Sequence, residues 1–431
     1  MILKHSKLLL LLLIFSSILE AKTVIEDGES GTTTLWRVVQ GEADDISNVY
    51  DKEINSRVIE LKGGGSYKIG ATGGDRALTI IGEKSISWKM KTTLPYTIYV
   101  IVKTTDDLRY LFYVSTPSRG LKHGFQNGIH HGIGKSTIDG RWRRVTRDLE
   151  ADLKDAEPNN SIISVNGFIY SGGNGGRLDD IILYSPKEII YEDGSNEVKN
   201  WTILDNSSSD ATVTNISDSK NQQNRVISLQ GDGINSAYKL SINNSSCKIL
   251  QWKFRGFGSE PEIFDTRGVI QDLKAFEFRV HIQSKNGARD LIYTLGEDNL
   301  GLIENGFTIH HGLGDDRAIG SVWSGDNPIN ELGLWQSVTR DLDEDIKDFE
   351  PNNTLVAVNS FEVRNSGLID DVKMLSSVDT NISKCNNINS SNPKKESNSV
   401  GIGKLFLVFQ FIYLLLIVVF LLKNKRIIKK V

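Results

Sequence analysis

Thr97–Val102 has the sequence TIYVIV, in which every side chain is either β-branched or aromatic. Such side chains favour the pleated, half-buried surface of a β-strand. Other short runs have the same character and are separated by segments rich in Gly, Asn, Asp and Ser: YLFYV at 110–114, IISV at 162–165 and IILY at 181–184. Short strands at this spacing predict an all-β sandwich.

The chain contains this pattern twice. Val145–Leu149, VTRDL, recurs as Val338–Leu342, and IHHG at 129–132 recurs at 309–312. Further pairs follow in the same order: EDG at 26–28 and 192–194, RVI-x-L at 57–61 and 225–229, EPNN at 157–160 and 350–353, and Asp-Asp at 179–180 and 370–371. Each copy is long enough to bury its own core. We therefore expect two tandem β-sandwich domains at 22–187 and 188–376, each with one short helix, at Asp148–Asp155 and from Asp341.

Both ends of the chain are strongly apolar. Residues 1–21 place an apolar run after Lys4 and Lys7, the order of a secretory signal peptide. Residues 404–422 contain LFLVFQFIYLLLIVVFLL, about 27 Å long as a helix, which predicts one C-terminal transmembrane helix. The basic residues of 423–431 predict a cytoplasmic tail and a body outside the cytoplasm. The Ser- and Asn-rich segment 377–403 predicts a polar stalk.

Charge and cysteine content narrow the class of protein. Residues 22–403 carry a formal charge of −11, which argues against nucleic acid as a partner because a nucleic-acid binder needs a basic face. Cys247 and Cys385 are the only cysteines, so a single disulfide or two free thiols are both open.

The candidate ligand-binding residues are the paired histidines and one tyrosine: His130, His131, His310, His311 and Tyr110. Adjacent side chains on a strand point to opposite faces, so the two histidines of a pair could hardly hold one ion. Two interpretations stay open for each pair: packing, with one histidine bonded internally and one exposed, or contact with a sugar. Tyr110 belongs to the first copy alone, because its counterpart is Asp290.

Acidic pairs open and close each copy, and they are candidate calcium ligands: Glu26, Asp27, Asp179, Asp180, Glu192, Asp193, Asp370 and Asp371. If the first and last strands of each sandwich pair, these carboxylates could converge on a structural Ca²⁺ ion, which prefers oxygen ligands. The alternative is that they are solvated charges that discourage pairing at sheet edges.

A tryptophan precedes VTRDL in both copies, which predicts a structural set of a buried tryptophan and an Arg–Asp pair joining a strand to the next turn. These residues are Trp142, Arg147 and Asp148 with Trp335, Arg340 and Asp341. We expect four other tryptophans in the cores: Trp36, Trp88, Trp201 and Trp252.

With its opening EDG, its RVI-x-L strand, the tryptophan before VTRDL and the closing Asp-Asp pair, each copy resembles extracellular bacterial jelly-roll domains of the galactose-binding-like and carbohydrate-binding-module class. The resemblance implies a jelly-roll sandwich, a structural calcium held by the acidic pairs, and glycan contacts from exposed aromatic side chains.

These observations together predict a membrane-anchored, extracytoplasmic protein that binds polysaccharide or another surface glycan without catalysis. A structural or adhesive surface protein with protein partners is the alternative. A polysaccharide-active enzyme comes third, because no G-x-S-x-G, H-E-x-x-H or phosphate-loop motif occurs in the sequence.

Overall fold

The structure is a computed structural model of the chain. It describes residues 22–42, 45–70, 78–115, 119–123, 128–172, 174–195, 197–219, 221–232, 235–256, 277–294, 301–302, 305–313, 335–379 and 385. The predicted signal peptide, transmembrane helix and cytoplasmic tail lie outside these residues. Across the described ranges, no helix is both long enough and apolar enough to cross a membrane.

The first copy folds into two β-sheets. One has six strands, β1 (Lys22–Glu26), β3 (Ile46–Asp51), β4 (Ser56–Leu61), β6 (Ser85–Lys91), β11 (Arg143–Asp148) and β13 (Gly176–Tyr184). Its order is β11-β6-β13-β4-β3, with β1 also paired to β13. The other has seven strands, β2 (Trp36–Gln40), β5 (Ser66–Ile69), β7 (Tyr96–Thr104), β8 (Leu108–Val114), β9 (Arg119–His123), β10 (Gly128–Gly132) and β12 (Ile162–Gly172). Its order is β2-β5-β12-β7-β8-β10-β9.

The second copy repeats this topology strand for strand. Its six-stranded sheet has β14 (Glu188–Glu192), β16 (Thr212–Ser217), β17 (Arg225–Gln230), β19 (Ile249–Gly256), β24 (Gln336–Asp341) and β26 (Gly367–Leu375). Its seven-stranded sheet has β15 (Trp201–Ile203), β18 (Ala237–Asn244), β20 (Glu277–Ser284), β21 (Gly287–Thr294), β22 (Gly301–Leu302), β23 (Thr308–Gly312) and β25 (Leu355–Arg364). The orders match those of the first copy, so the all-β prediction is confirmed.

Each core lies between the two sheets of a copy. Strand alternation turns Ile98, Val100 and Val102 of β7 inward, where they join Leu111 and Tyr113 of β8 in the first core. The tryptophans expected in the cores are buried: Trp36, Trp88, Trp201 and Trp252 are at most 8% exposed. Large aromatic side chains thus fill sandwiches whose sequence is otherwise polar.

One short α-helix follows the edge strand of each copy, α1 (Leu149–Ala156) and α2 (Leu342–Lys347), and the first copy also has a 3₁₀ turn at Lys135–Ile138. Asp148 and Asp341 cap these helices. The Oδ1 atom of Asp148 accepts a hydrogen bond from Ala151 N at 3.0 Å, and that of Asp341 accepts one from Glu344 N at 3.3 Å.

The predicted pairing of Arg147 with Asp148, and of Arg340 with Asp341, is therefore wrong. Arg147 is paired with Asp152, with Nε 3.0 Å from Oδ2, and Arg340 is paired with Asp345 at the same distance. The capping bond occupies the aspartate at the end of the strand, whereas the aspartate one turn later lies back against the arginine.

Trp142 and Trp335 are half-buried, and not buried as expected. They lie just before the edge strands β11 and β24, where the sheet covers one side of the ring only. Each indole Nε1 donates a hydrogen bond to an aspartate of its own copy, Trp142 to Asp51 at 3.2 Å and Trp335 to Asp218 at 2.9 Å.

The two copies contact each other in an approximately reciprocal way. Asp155, at the end of α1, accepts hydrogen bonds from Ser337 of β24, from Oγ at 2.8 Å and from N at 3.2 Å. Its counterpart Asp348, just after α2, forms an ion pair with Arg143 of β11. Each copy thus uses the same helix-end aspartate to hold the edge strand of the other.

A disulfide joins Cys247 to Cys385, whose Cα atoms are 5.0 Å apart. Cys385 has no exposed surface and belongs to the second core, while Val378 packs on Ile182 and Tyr184 of the first copy. A stalk beginning at 377 is therefore wrong for these residues. Within this Ser- and Asn-rich segment, Val378 packs on the first copy and Cys385 lies in the second core, so both residues belong to the folded body.

Candidate functional site

Six side chains form a continuous row across the outer face of the first seven-stranded sheet, the face opposite the core. The strand registers place Phe112 opposite both Tyr99 and His130. They also place Tyr99 opposite Ile169, Ile169 opposite Lys68, and Lys68 opposite Arg37. We call this set the lateral row: Arg37, Lys68, Ile169, Tyr99, Phe112 and His130. It crosses six strands, a span of about 24 Å at the usual strand spacing.

The middle of the lateral row is aromatic. The ring of Phe112 lies 4.4 Å from that of Tyr99, edge to face, and stacks on the His130 ring at 4.3 Å. Tyr110 adds a ring 6.4 Å from Phe112. Phe112 is 7% exposed, whereas Tyr99, Tyr110 and His130 are half-buried. The result is a supported aromatic surface with partly open rings.

Gly128 makes room for this surface. A Cβ atom at Gly128 would lie 2.3 Å from Cε2 of Phe112, which is too close unless the ring moves. In the second copy Thr308 stands at this position, and the residue corresponding to Phe112 is Ile292. The large ring and the small neighbour therefore change together between the copies.

The second copy carries different chemistry on the equivalent row. Its members, by the same registers, are Thr202, Lys239, Glu362, Arg279, Ile292 and His310. The inward-facing residues hardly change, since Leu111 and Tyr113 correspond to Leu291 and Tyr293. The two copies thus keep one core and differ on the outer face.

A histidine held between two carboxylates lies at the centre of this second face. His281 Nδ1 is 2.7 Å from Asp290 Oδ1, and its Nε2 is 2.9 Å from Glu362 Oε2. These hydrogen bonds raise the pKa of His281 to about 9, so the ring is a cation at neutral pH. Arg364 donates to the other oxygen of Glu362 at 2.7 Å, and Arg279 forms an ion pair with Glu277. We call these residues the charged face.

The predicted ligand-binding residues divide between the two sides of the sheet. Tyr110 and His130 lie on the outer face beside Phe112. His131 and His311 are at most 1% exposed and stack on core tyrosines, so surface ligand contact by these two is wrong. His310 is 9% exposed, and its Nε2 lies 3.0 Å from Thr294 Oγ1. The packing interpretation predicts one exposed histidine in each pair, but in the second pair both histidines are buried. Strand alternation is the physical reason for the division.

The glutamates that open each copy have structural partners. Glu26 accepts hydrogen bonds from Trp36 Nε1 and Gly28 N, both at 2.8 Å, and Glu192 accepts the same pair from Trp201 and Gly194. Burial raises the pKa of both glutamates. Gly28 has a φ of 71°, and a Cβ there would collide with the Arg57 carbonyl, which explains the glycine of the EDG segment. Asp27 and Asp193 cap the turn that follows, accepting from Glu29 N and Ser195 N.

The Asp-Asp pairs mark a β-bulge in the last strand of each copy. The register of β13 against β6 shifts between Asp179 and Ile182, and Asp180 has a φ of 48°. Asp371 has a φ of 50° at the equivalent position. Asp180 lies 2.7 Å from Lys89 Nζ, and Asp371 lies 2.5 Å from Lys253 Nζ.

The first and last strands of each copy do pair, as β1 with β13 and β14 with β26. The eight acidic residues nevertheless do not gather around one point. Within the described ranges, the one group of three potential ligands whose ligand atoms all lie within 4.8 Å is His311, Asp345 and Asp348. Arginines already neutralise both of its carboxylates, Arg340 at Asp345 and Arg143 at Asp348. Calcium at the acidic pairs stays a prediction.

The sequence analysis does not identify five of the six members of the lateral row: Arg37, Lys68, Ile169, Tyr99 and Phe112. These residues come from five strands, and only the registers show that they align. A signal was present in the comparison of the copies: within otherwise matched strands, Tyr99 becomes Arg279 and Ile169 becomes Glu362.

The fold and the outer faces of the seven-stranded sheets define a tandem pair of β-sandwich domains. The first has an aromatic outer face, and the second has a charged one. No protein-family model matches the chain, and no curated protein matches it. Among solved structures, the chain is similar to a family 61 carbohydrate-binding module in complex with β-1,4-galactotriose, with 11% identity, a TM-score of 0.22, and coverage of 37% of this chain and 95% of that one.

The chain is also similar to a family 29 carbohydrate-binding module from Piromyces equi, with 9% identity, a TM-score of 0.21, and coverage of 38% of this chain and 91% of that one. A third similar structure is the family 11 module from Clostridium thermocellum in complex with a β-1,3-1,4-mixed-linked tetrasaccharide, with 13% identity, a TM-score of 0.23, and coverage of 39% and 97%. All three similar structures are carbohydrate-binding modules, the class that the sequence resemblance names.

Proposed function

We propose that the first copy binds a glycan chain along the lateral row. The observation that carries this proposal is the alignment of Tyr99, Phe112 and His130 in one row of strand partners, in which the rings of Tyr99 and His130 are half-exposed and Phe112 supports them. Sugar rings present C–H faces that pack on aromatic rings, and their hydroxyl groups hydrogen-bond to polar side chains. A row that crosses several strands suits an extended chain better than a single sugar.

We propose recognition without catalysis. Glycosidases use two carboxyl groups placed on either side of the scissile bond. The lateral row contains no carboxylate, and its polar members are Arg37, Lys68 and His130. The chemistry of the row therefore favours holding a glycan over cleaving it.

The proposed location is the cell surface, with the two domains outside the cytoplasm and the C-terminus inside. The disulfide between Cys247 and Cys385 supports this, because such bonds persist mainly in exported proteins. The apolar segments at 1–21 and 404–422 are the proposed signal peptide and membrane anchor.

A glycan array with the full chain in mild detergent tests the function. We expect binding that Tyr99→Ala reduces at least tenfold, because the change removes one ring from the aromatic surface. The matched control is Arg279→Ala, the same position in the second copy, which should leave that binding unchanged. Absence of binding to every glycan would contradict the proposal and favour the adhesive alternative.

A further inference from the structure

We propose that the glycan held by the lateral row is acidic, and that Arg37 and Lys68 receive its carboxylate or sulfate group. This inference rests on the proposed function and adds the chemical class of the ligand.

The two cations lie at one end of the lateral row, on the neighbouring strands β2 and β5. Arg37 is directly opposite Lys68 in the register, and Lys68 is half-buried while Arg37 is exposed. Within the described part of the chain, neither side chain makes a hydrogen bond or an ion pair. Other half-buried lysines of this copy have a carboxylate, such as Lys89 with Asp180 at 2.7 Å.

Two adjacent cations without a counter-charge destabilise each other. Burial lowers the pKa of Lys68, and the charge of Arg37 lowers it further. An anionic group placed between them would reverse both effects. The guanidinium can donate two hydrogen bonds to such a group, and the ammonium can add a third.

The equivalent position of the second copy has different neighbours in the strand register. Lys239 corresponds to Lys68, but its partner on β15 is Thr202 and its partner on β25 is Glu362. In the first copy the residue in place of Glu362 is Ile169, which is uncharged. In the register, Lys68 therefore has a cation and an apolar residue as its neighbours, whereas Lys239 has a hydroxyl and a carboxylate.

The test is an array of matched glycan pairs, each a neutral oligosaccharide beside the same backbone carrying a carboxylate or a sulfate. Oligogalacturonate and its methyl ester provide one pair, and a sulfated galactan oligosaccharide and its desulfated form provide another. Using the full chain in mild detergent, we expect the acidic member to bind at least tenfold tighter, with the difference falling as salt is added. The two pairs distinguish a carboxylate from a sulfate.

Lys68→Gln should abolish the preference for the acidic member, while Lys239→Gln should preserve it. Tyr99→Ala should weaken both members of a pair. If neutral and acidic members bind equally, or if Lys68→Gln leaves the preference intact, the acidic ligand is ruled out while the proposed function stands. If no member of any pair binds and the wider array is also silent, the proposed function itself fails. Circular dichroism of each variant confirms that it is folded.

Discussion

At the scale of single residues, the two copies show how a few substitutions convert one surface into another. Tyr99 and Arg279 occupy the same place on equivalent strands, as do Ile169 and Glu362. The aromatic surface of the first copy stacks through π contacts, whereas the charged face of the second is held by ion pairs. Because the charge of a histidine depends on protonation, the ion pairs of the charged face should respond to pH.

His281 provides the test of that response. Its pKa is raised from 6.5 to about 9, so its contribution to stability is fully present below 6.5 and is lost as pH rises through about 9. One pKa unit corresponds to about 1.4 kcal/mol, which gives a contribution of about 3 kcal/mol. We expect urea unfolding to show wild type losing most of its advantage over His281→Gln between about pH 6 and about pH 10. An advantage that does not change with pH would contradict this role.

Residue-level prediction from the sequence worked where one strand contains the whole argument. The opposite orientations of His130 and His131 follow from alternation alone, and the burial of Trp88 follows from the need of a polar sandwich for large apolar side chains. It failed where a partner lies on another element, as for Arg147, which bonds Asp152 across a helical turn. Asp148 is adjacent to Arg147 in the sequence, but its carboxylate caps the N-terminus of the helix.

At the scale of elements, the closing Asp-Asp pairs explain how the last strand of each sandwich pairs with three other strands. Near the bulge at Asp179, β13 changes its partner on one side from β4 to β1, while β6 remains on the other. The bulge puts Asp179 inside, at 2% exposure, and turns Asp180 toward Lys89. A motif whose spacing predicts a metal site thus has a complete structural role.

The variant Asp179→Asn distinguishes a structural role of Asp179 from a role as a calcium ligand. Burial, with repulsion from Asp180, raises the pKa of Asp179 from 3.8 to about 6, so its ionisation costs stability as pH rises through about 6. Asparagine keeps the acceptor for Asp180 N without the charge. Without calcium, we expect the variant to be about 3 kcal/mol more stable than wild type at neutral pH and equal to it below the ordinary pKa. Denaturant unfolding measures this.

The same variant examines calcium. If Ca²⁺ binds these carboxylates, added calcium should raise the melting temperature of wild type and not that of Asp179→Asn, because a ligand bound only to the native state stabilises it. Asp370→Asn, the counterpart in the second copy, is the matched variant. A wild-type melting temperature that neither calcium nor chelator changes would count against the calcium hypothesis.

The elements themselves were predictable, and their lateral order was not. β-branched runs mark the strands, and the repeat marks the second set. The lateral row, however, joins β2, β5, β12, β7, β8 and β10. The periodicity within a single strand does not reveal which strands lie side by side in this order. For this reason the sequence identifies Tyr110 as a candidate, by comparison with the second copy, but does not identify Phe112.

At the scale of the whole molecule, the chain is two copies of one sandwich fastened at two kinds of contact. Asp155 and Asp348 bond the opposite edge strands, and Val378 packs against the first copy after the second has ended. The two domains that the repeat predicts are therefore joined by polar bonds from the helix end of each copy to the edge strand of the other. This interface combines polar and apolar contacts between the two copies, so the sequence of one copy alone does not predict it.

The disulfide should contribute mainly to the second copy. It closes a segment of 138 residues, for which loss of the bond typically costs about 2–5 kcal/mol. We expect Cys385→Ser to lower the stability of the second copy by this amount and to leave the first unchanged. Differential scanning calorimetry can follow both transitions, with reduced wild type as the control. Two reactive thiols in unreduced protein would contradict the assignment.

The same bond determines how the molecule carries mechanical load. A pull between the two ends of the chain passes from residue 247 directly to residue 385 through the covalent bridge, so the loop from 248 to 384 bears no tension. That loop contains β19 to β26, and so the whole of the charged face. The first copy has no cysteine and lies entirely within the path of force. Under tension, the strands that can unfold are those of the first copy, including the ones that present the aromatic surface, and β14 to β18 of the second copy.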